Sequence, residues 1–398
     1  MNKPKLLTGS LVTVSVSYFF FSISFFLLIV IMAAYAMDRF GASSGEAGLA
    51  SSVFVIGSLV SRLIFGRWIE KSGQKRMLCL GLISSLAVTL LYFVVDNLLL
   101  LYGVRFLHGA AFGITTSAAA TIAANIIPQE RRGEGLGYFM LSVTLGNAIG
   151  PFLGMFIYQH ASYDIVFGTS TAAAILSLAI GAFTSVPEIK FSASQTAELK
   201  GFKLRNFLEP KAIPISLFMA VIIMCYSSVT TFLTPYARDI GLLDSASFFF
   251  IVYSAVILFS RPFIGRLFDS KGANIVMYPA ILIFTVGMLM VSQSYSGYIL
   301  LLAGALLGLS CGSIQSNAQA IAIQVSPKHR LGLANSTYFI FVDLGVAIGP
   351  FLFGILLPLS GYREMYAYCA AVVFVCIFLY YWLHGKKVTR MKTASRES

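Results

Sequence analysis

Residues 146–153 read GNAIGPFL and residues 345–352 read GVAIGPFL, so that seven of the eight residues recur after an interval of 199. The same interval aligns many other residues of the chain without a gap. These pairs are Arg62 with Arg261, Gly66 with Gly265, Glu70 with Asp269, Gly73 with Gly272, Gly109 with Gly308, Gly113 with Gly312, Pro128 with Pro327, Arg131 with Arg330 and Gly133 with Gly332. One fixed interval over this length is hard to obtain by chance, so it predicts an internal repeat of two homologous halves.

The composition places both halves in a membrane. Hydrophobic residues make up 58% of the 398 residues and charged residues 11%, with a mean hydropathy of +0.83. A soluble domain has about a quarter charged residues, and a helix needs about 20 apolar residues to cross the hydrocarbon core. The hydrophobic pattern predicts twelve spans, at 10–36, 46–68, 77–95, 98–124, 133–157, 165–185, 212–236, 246–267, 275–293, 297–324, 332–358 and 366–384.

The predicted fold class is an all-α polytopic membrane protein, in which twelve transmembrane helices form two six-helix bundles related by pseudo-two-fold symmetry. Because six spans are an even number, the second half returns to the orientation of the first. We expect an N-terminal bundle at 1–186, a cytoplasmic linker at 187–211, and a C-terminal bundle with a basic cytoplasmic tail at 212–398. The first apolar run is about 25 residues long, beyond the roughly 7–15 of a cleavable signal sequence, so we interpret it as the first span.

The net charge of +12 follows the predicted topology. One side of the membrane carries 22 lysines and arginines together with both termini, whereas the other side carries three. Because basic loops stay in the cytoplasm, we expect cytoplasmic termini and a multi-pass protein of the cell membrane. This distribution argues against a nucleic-acid partner. The partners that we expect are the lipid bilayer, protons and a small-molecule substrate, and we expect the chain to act as a monomer.

The sequence lacks the groups that an enzyme or an ATP-driven pump requires. It shows no nucleophile–base–orienter set and no G-x-x-x-x-G-K-[ST] phosphate loop, and its five cysteines form no metal-binding cluster. We therefore expect no enzyme activity, no metal and no cofactor, with any pumping driven by an ion gradient. An intramembrane receptor or enzyme is the remote alternative, although a one-sided sensor would have no use for repeated six-span halves.

Four motifs resemble signatures of the major facilitator superfamily. GRWIEKSGQKR at 66–76 is similar to the loop between spans 2 and 3, and GRLFDSKG at 265–272 is its counterpart in the second half. RFLHG at 105–109 is similar to the span 4 signature. GNAIGPFLG at 146–154 is similar to the span 5 signature of proton-coupled antiporters of the drug-efflux branch. The resemblance covers nearly the whole chain and implies the fold of that family and proton-coupled antiport. The chain departs from the pattern at Glu70, where aspartate is usual, at Met155, where a second glycine is usual, and in span 1, which has no acid in the membrane.

Loop charges beside the glycine motifs are candidates for a gate. A carboxylate at a helix N-terminus gains only ~0.3–1 kcal/mol at exposed sites, so such a contact can form and break during transport. The residues of this predicted latch are Gly66, Glu70, Gly73 and Arg131 in the first half and Gly265, Asp269, Gly272 and Arg330 in the second. The alternative is that the loop charges only set orientation, which would not require the tight turn that the glycines indicate.

A glycine–proline face in span 5 and its copy in span 11 predict close helix packing. The face consists of Gly146, Gly150, Pro151 and Gly154, and its copy includes Gly349 and Pro350. Glycine lets helices approach closely and proline bends a helix, so we expect tightly packed and kinked seams between the two halves. The resemblance implies that the span 5 motif seals against proton leak. Generic close packing is the alternative, and the two interpretations are compatible.

Ionisable residues inside spans are the candidates for proton coupling, because they are expensive in a membrane. Asp343 is the only carboxylate deep in any predicted span, roughly 16 Å from its cytoplasmic end, and its candidate partner Arg62 lies at roughly 10 Å. The resemblance implies that spans 2 and 11 face each other across the halves. A carboxyl group held between low dielectric and a nearby cation can load and release a proton. A fixed ion pair, or an aspartate capped by neighbouring hydroxyls, is the alternative.

Arg105 breaks the repeat, because the interval places Gly304 opposite it. A lone arginine near an aqueous cavity can favour the ionised form of a carboxyl group or hold an anionic substrate. A structural bond to span 1 carbonyls is an equal alternative. His108 lies on the same helix face and titrates near neutral pH, so a proton relay is conceivable, although we favour a packing role.

The lining of a substrate cavity is expected on spans 1, 4, 7 and 10, as the resemblance implies. The candidate residues are Tyr18, Ser22 and Phe25 in span 1, Tyr226 in span 7, and Gln315, Asn317 and Gln319 in span 10. An aromatic and amide lining suits an amphipathic organic solute. For any single aromatic residue, a lipid-facing or packing role is an equal alternative.

The sequence therefore predicts a secondary transporter that exports a small, drug-like organic compound in exchange for protons by alternating access. The alternative within transport is a dedicated exporter of one metabolite, such as a sugar or a siderophore-like metal chelator. The missing acid in span 1 and the presence of Arg105 suit this alternative, since both fit neutral or anionic cargo better than cations.

Overall fold

The computed structural model describes residues 8–65, 73–128, 132–186, 208–327 and 331–386. These residues form helices and connecting turns, and no β-strand occurs among them. The first six helices are α1 (Gly9–Phe40), α2 (Ser44–Phe65), α3 (Gln74–Leu91), α4 (Leu98–Ile126), α5 (Arg132–His160) and α6 (Tyr163–Ala182). The next four are α7 (Ile213–Asp239), α8 (Leu243–Lys271), α9 (Ala273–Ser292) and α10 (Gly297–Gln324).

The last helical segment, Leu331–Tyr380, contains two spans. Its 50 residues would reach about 75 Å at 1.5 Å per residue, more than twice the roughly 30 Å of hydrocarbon. Gly361 interrupts it with φ 81° and ψ 172°, a backbone conformation that favours glycine. We call the two arms α11 (331–360) and α12 (362–380). The described residues thus contain eleven membrane-length segments, the last of them double, which agrees with the predicted twelve spans.

Local capping fixes where several helices begin. The Thr8 hydroxyl accepts a hydrogen bond from the Leu11 amide at 3.3 Å, and the Asn97 side chain accepts one from the Leu100 amide at 2.8 Å. Each side chain satisfies an amide that the first helical turn leaves unpaired. Gly73 and Gly272 precede α3 and α9 with φ 89° and 87°. The repeat therefore keeps a positive-φ glycine at the same position of each half.

The chain divides into two compact units, Met1–Gly201 and Phe202–Ser398. Helices α1–α6 belong to the first unit and α7–α12 to the second. The division falls inside the predicted linker at 187–211, of which residues 187–207 lie outside the described part of the chain. The boundaries predicted at 186 and 212 therefore stay predictions.

Glycines bring the same helix pair together in each unit. A Cβ atom added at Gly109 of α4 would collide with the backbone carbonyl of Phe54 in α2. A Cβ atom at Gly308 of α10 would likewise collide with the carbonyl of Tyr253 in α8. Since Phe54 and Tyr253 are themselves related by the interval of 199, the repeat preserves the contact as well as the glycine.

We predict that Gly109→Ala destabilises the protein by about 1–3 kcal/mol, the usual cost of an overpacked contact. Gly103→Ala in the same helix is the matched control, because a Cβ atom there meets nothing within 4 Å. Alanine favours a helix over glycine by roughly 0.5–1 kcal/mol, so the control should unfold at the wild-type temperature or above it. Thermal unfolding of the purified protein in detergent, followed by intrinsic fluorescence, measures both. Equal behaviour of the two variants would contradict the contact.

Candidate functional site

The predicted latch falls largely outside the described residues. The structure does not describe Gly66, Glu70, Arg131 and Arg330, and it does not describe the side chain of Asp269. Gly73 and Gly272 have the positive φ angles described above, and Gly265 lies on α8, where an added Cβ atom would meet nothing within 4 Å. The latch and its tight turns stay predictions.

The glycine faces of α5 and α11 pack against α1 and α7 inside each unit, and the seam between halves expected from the sequence stays a prediction. A Cβ atom at Gly150 would lie 3.0 Å from the Ile23 carbonyl of α1, and one at Gly154 would lie 2.6 Å from the Leu27 carbonyl. In the second unit, a Cβ atom at Gly349 would lie 2.6 Å from the Met224 carbonyl of α7. Pro151 and Pro350 follow these contacts within their helices.

Ser22 belongs to this packing. Its side chain is 3% exposed, and a Cβ atom at Gly146 would collide with it. The small serine lies where α1 and α5 are in close contact, and its role in lining a cavity stays a prediction.

Two predicted cavity residues, Tyr18 and Phe25, belong to a cluster of stacked rings in the first unit. The Phe25 ring centroid lies 5.1 Å from that of Phe54 and 4.3 Å from that of Phe112. The centroid of Phe21 lies 5.6 Å from that of Phe112 and 5.9 Å from that of Tyr18. We call these five rings the aromatic cluster. Tyr18, Phe25 and Phe112 are half-buried, so the cluster presents ring surface that is not enclosed within its own unit.

The candidates in the second unit are mostly engaged in packing. Tyr226 is buried and stacks on Tyr253 with 5.3 Å between centroids. The Asn317 amide donates to the Ser313 carbonyl of its own helix at 2.8 Å. The Gln319 amide donates to the Asn335 side chain of α11 at 2.7 Å.

Gln315 and Gln319 are less enclosed than Asn317, the third candidate of span 10. The Gln315 side chain is half-buried, and its backbone carbonyl accepts a hydrogen bond from the Tyr338 hydroxyl at 2.8 Å. The polar run of α10 thus supplies helix–helix bonds, and its role toward cargo stays a prediction.

Arg105 is fully buried, with 0% exposure. Its Nε donates to the Ala50 carbonyl of α2 at 3.0 Å and its Nη1 to the Tyr92 hydroxyl at 3.4 Å. Its guanidinium carbon lies 4.4 Å from the centre of the Phe54 ring, within range of a cation–π contact. Carbonyls of span 1 were the structural alternative expected from the sequence, and the structure corrects the partner to span 2.

Tyr92 links Arg105 to His108 and was not among the predicted site residues. Its hydroxyl oxygen lies 3.1 Å from Nδ1 of His108, which is 2% exposed. Tyr92 follows α3 in a short 3₁₀ turn, where its apolar neighbours carry no signal of a polar role. The three side chains form one buried polar group, as a packing role for His108 requires.

The second unit has no counterpart of the buried Arg105 group, because the large and the small residue of the contacting pair are exchanged between the two helices. Gly304 stands where Arg105 stands in the first unit, and Phe249 stands where Ala50 stands. A Cβ atom at Gly304 would lie 3.0 Å from Cδ2 of Phe249. The Phe249 ring therefore fills space that the arginine occupies in the first unit, and this exchange explains how the repeat tolerates a single arginine.

Asp343 and Arg62 lie in different units. Asp343 is half-buried on α11, roughly 18 Å along the helix from Leu331. Among the described carboxylates, it alone lies more than one turn from a helix end or break. Arg62 is half-buried on α2, and its Nη2 donates to the Thr116 hydroxyl at 3.4 Å. Their pairing stays a prediction.

We predict that Ala50→Phe destabilises the protein by forcing a ring into the space of Arg105. Adding Arg105→Gly to that variant recreates the pair found in the second unit, so the double variant should regain part of the loss. A coupling of roughly 0.5–3 kcal/mol is typical for residues in contact. Unfolding temperatures of the two single variants and the double variant measure it. Strictly additive losses would contradict the exchange.

Comparisons with known proteins agree with this architecture. The sequence profile of the Major Facilitator Superfamily matches residues 14–296 and 243–398. A solved structure of a bacterial homolog of the human lysosomal transporter Spinster superposes with a TM-score of 0.80 at 14% identity, covering 96% of this chain and 98% of that one. At that identity, the likeness shows the fold alone.

Relatives with related sequences include transporters of archaea and bacteria. An uncharacterized MFS-type transporter of Methanocaldococcus jannaschii is 28% identical, covering 85% of this chain and 89% of the relative. The multi-drug resistance efflux pump PmrA of Streptococcus pneumoniae is 27% identical, covering 83% of this chain and 84% of the relative. The multidrug resistance protein MdtG of Dickeya zeae is 24% identical, covering 95% of this chain and 94% of the relative.

The matched profile spans most of the chain, and the fold of the described residues is all-helical with membrane-length segments. The relatives and the structural neighbours are transporters rather than enzymes. The chain is accordingly a multi-pass membrane transporter that belongs to the Major Facilitator Superfamily.

Proposed function

We propose that this transporter exports small amphipathic organic compounds in exchange for protons. The observation that carries the proposal is the similarity, over most of the chain, to relatives named as multidrug efflux proteins. The span 5 motif and the membrane-embedded Asp343 support exchange against protons. The sequence has no phosphate loop for ATP, so an ion gradient is the energy source that fits.

The aromatic cluster supports an apolar, ring-containing cargo. Tyr18, Phe25 and Phe112 leave part of their ring surface uncovered within their unit, and aromatic faces bind other rings by offset or edge-to-face stacking. Span 1, which supplies Tyr18 and Phe25, has no acid in the membrane, so we expect the cluster to select by shape and apolar surface more than by positive charge. Such recognition tolerates many cargo structures, as a drug-efflux function requires.

A dedicated exporter of one neutral metabolite is the second candidate, and the same lack of an acid in span 1 favours it. An anionic metabolite has less support. The charge of Arg105 is fully buried and directed to the Ala50 carbonyl and the Tyr92 hydroxyl, so in this conformation it is not offered to a ligand.

Asp343 is the group that we assign to proton coupling. A carboxyl group inside a membrane helix is costly to keep charged, so its protonation responds strongly to whether water or protein surrounds it. In alternating access, such a group takes up a proton when it faces one solution and releases it when it faces the other. Cargo and proton then share one conformational cycle.

We expect Asp343→Asn to reduce proton-driven uphill efflux by ~100-fold, the lower end of what a positioned proton-transfer group contributes. Exchange of labelled for unlabelled cargo across the membrane needs no net proton movement and should be largely retained. Asp244→Asn is the matched control, because Asp244 is a carboxylate in the first turn of α8, away from the middle of any span. Unchanged uphill efflux by Asp343→Asn would remove this residue from the coupling mechanism.

The coupling ion and the cargo class can be tested together in acid-loaded inside-out vesicles with a pH-sensitive dye. Cationic drugs, phenicols, sugars and metal chelators are added one at a time. We expect transporter-dependent alkalinisation with at least one aromatic drug, since cargo entry releases protons. A response restricted to a sugar or a chelator would favour the dedicated exporter. Cargo uptake that responds to a sodium gradient and not to a proton gradient would contradict proton coupling.

A further inference from the structure

A groove of about 460 Å³ lies at one end of the second unit, within the size range of ligand pockets. The start of α7, the end of α10 and the turn after α12 enclose it. Helix α7 begins where α10 and α12 end, so the three ends meet on one side of the membrane. The groove is therefore at the height of the helix termini rather than at the middle of the spans.

The lining of the groove is apolar on its walls and cationic in part. The apolar residues are Pro210, Pro214, Ile215, Ile321, Val325 and Leu383, and the basic residues are Lys211 and His384. No carboxylate is among the described residues that line it. The neighbouring Glu209 is 2% exposed, and its carboxylate accepts a hydrogen bond from the Lys211 amide at 3.4 Å. The groove thus combines an apolar surface with one cationic side chain, that of Lys211, and the imidazole of His384.

The turn that carries His384 is held in place by α9. Residues Tyr381–Gly385 form a π-helical turn, a conformation that occurs often at functional positions. The Asn274 amide donates to the Gly385 carbonyl at 3.1 Å, and the Tyr380 hydroxyl donates to the Asn274 side-chain oxygen at 2.9 Å. A Cβ atom at Gly385 would collide with the Tyr278 hydroxyl. These contacts fix the backbone that presents His384 to the groove.

Trp382 indicates the level of the groove in the bilayer. It belongs to the same π-helical turn and is 78% exposed. Tryptophan is enriched where lipid headgroups meet hydrocarbon. The groove beside it therefore opens at the headgroup level, where a phosphate and the upper part of an acyl chain are both available.

We propose that this groove binds an anionic phospholipid. The headgroup phosphate lies by Lys211 and His384, and one acyl chain lies along Ile215, Ile321, Val325 and Leu383. Charge complementarity selects this occupant over the chain's own C-terminal segment, because residues 386–398 carry five lysines and arginines against one acid. Basic pockets between membrane helices on the cytoplasmic side are recognised sites for lipid headgroups.

The chain supplies its own reporter for a binding test. Its two tryptophans are Trp68 and Trp382, so the Trp68→Phe variant of the full chain leaves a single fluorophore beside the groove. The protein is placed in nanodiscs of phosphatidylcholine that contain a fixed fraction of a lipid brominated in one acyl chain, since bromine quenches tryptophan. We expect brominated phosphatidylglycerol to associate about fivefold more strongly than brominated phosphatidylcholine, as one cationic side chain near an anionic surface contributes.

The double variant Lys211→Gln, His384→Gln, made in the Trp68→Phe background, should abolish this preference. Lys75→Gln, which removes an exposed lysine of the first unit, should leave it intact. Inorganic phosphate should not relieve the quenching, which separates a lipid from a free anion as the ligand. Equal quenching by the two brominated lipids in the single-tryptophan protein would overturn the proposal. So would a preference that appears only after residues 387–398 are deleted, since the groove would then be occupied by the tail.

Discussion

Close backbone contact between paired helices is the constraint on which both units depend. Lipid tails are as apolar as leucine, so apolar side chains gain little by leaving the lipid for a helix interface. Packing must then come from dispersion between surfaces that fit closely. The glycines of α4 and α10 lie on carbonyls of α2 and α8, and those of α5 and α11 lie on carbonyls of α1 and α7. Each bundle is assembled around these two contacts.

Polar groups add to the interface between α1 and α6. The hydroxyl of Ser17 in α1 donates to the Ser177 carbonyl of α6, and the hydroxyl of Ser177 donates back to the Ser17 carbonyl, each at 2.8 Å. Two turns further along, the Ser24 and Ser170 hydroxyls lie 2.7 Å apart. Such bonds contribute modestly in a membrane, on average about 0.6 kcal/mol. They define which faces of α1 and α6 meet, and they leave no polar group of these pairs facing lipid.

The sequence predicts the repeat and the spans well, because hydrophobic length and an interval of 199 are properties of the chain alone. The span predicted at 297–324 coincides with α10. What periodicity cannot supply is the identity of the neighbour. The face of Gly146, Gly150 and Gly154 was recognisable, yet its partner α1 was not, because a helical pattern describes one helix and not what lies beside it. For the same reason the pattern does not show that Ser22 lies against Gly146, or that the carbonyl bound by Arg105 belongs to α2.

Differences between the two units are more informative about function than the features they share. Shared glycines explain how each bundle packs, whereas the Arg105–Tyr92–His108 group has no counterpart around Gly304, and Asp343 has Thr144 at the matching position of the first unit. A buried guanidinium requires partners, and the first unit supplies a carbonyl, a hydroxyl and an aromatic face. The second unit fills the equivalent space with a phenylalanine ring, so packing alone does not require the arginine. One position of the repeat therefore carries a buried cation with its own partners in the first unit and a glycine packed against an aromatic ring in the second.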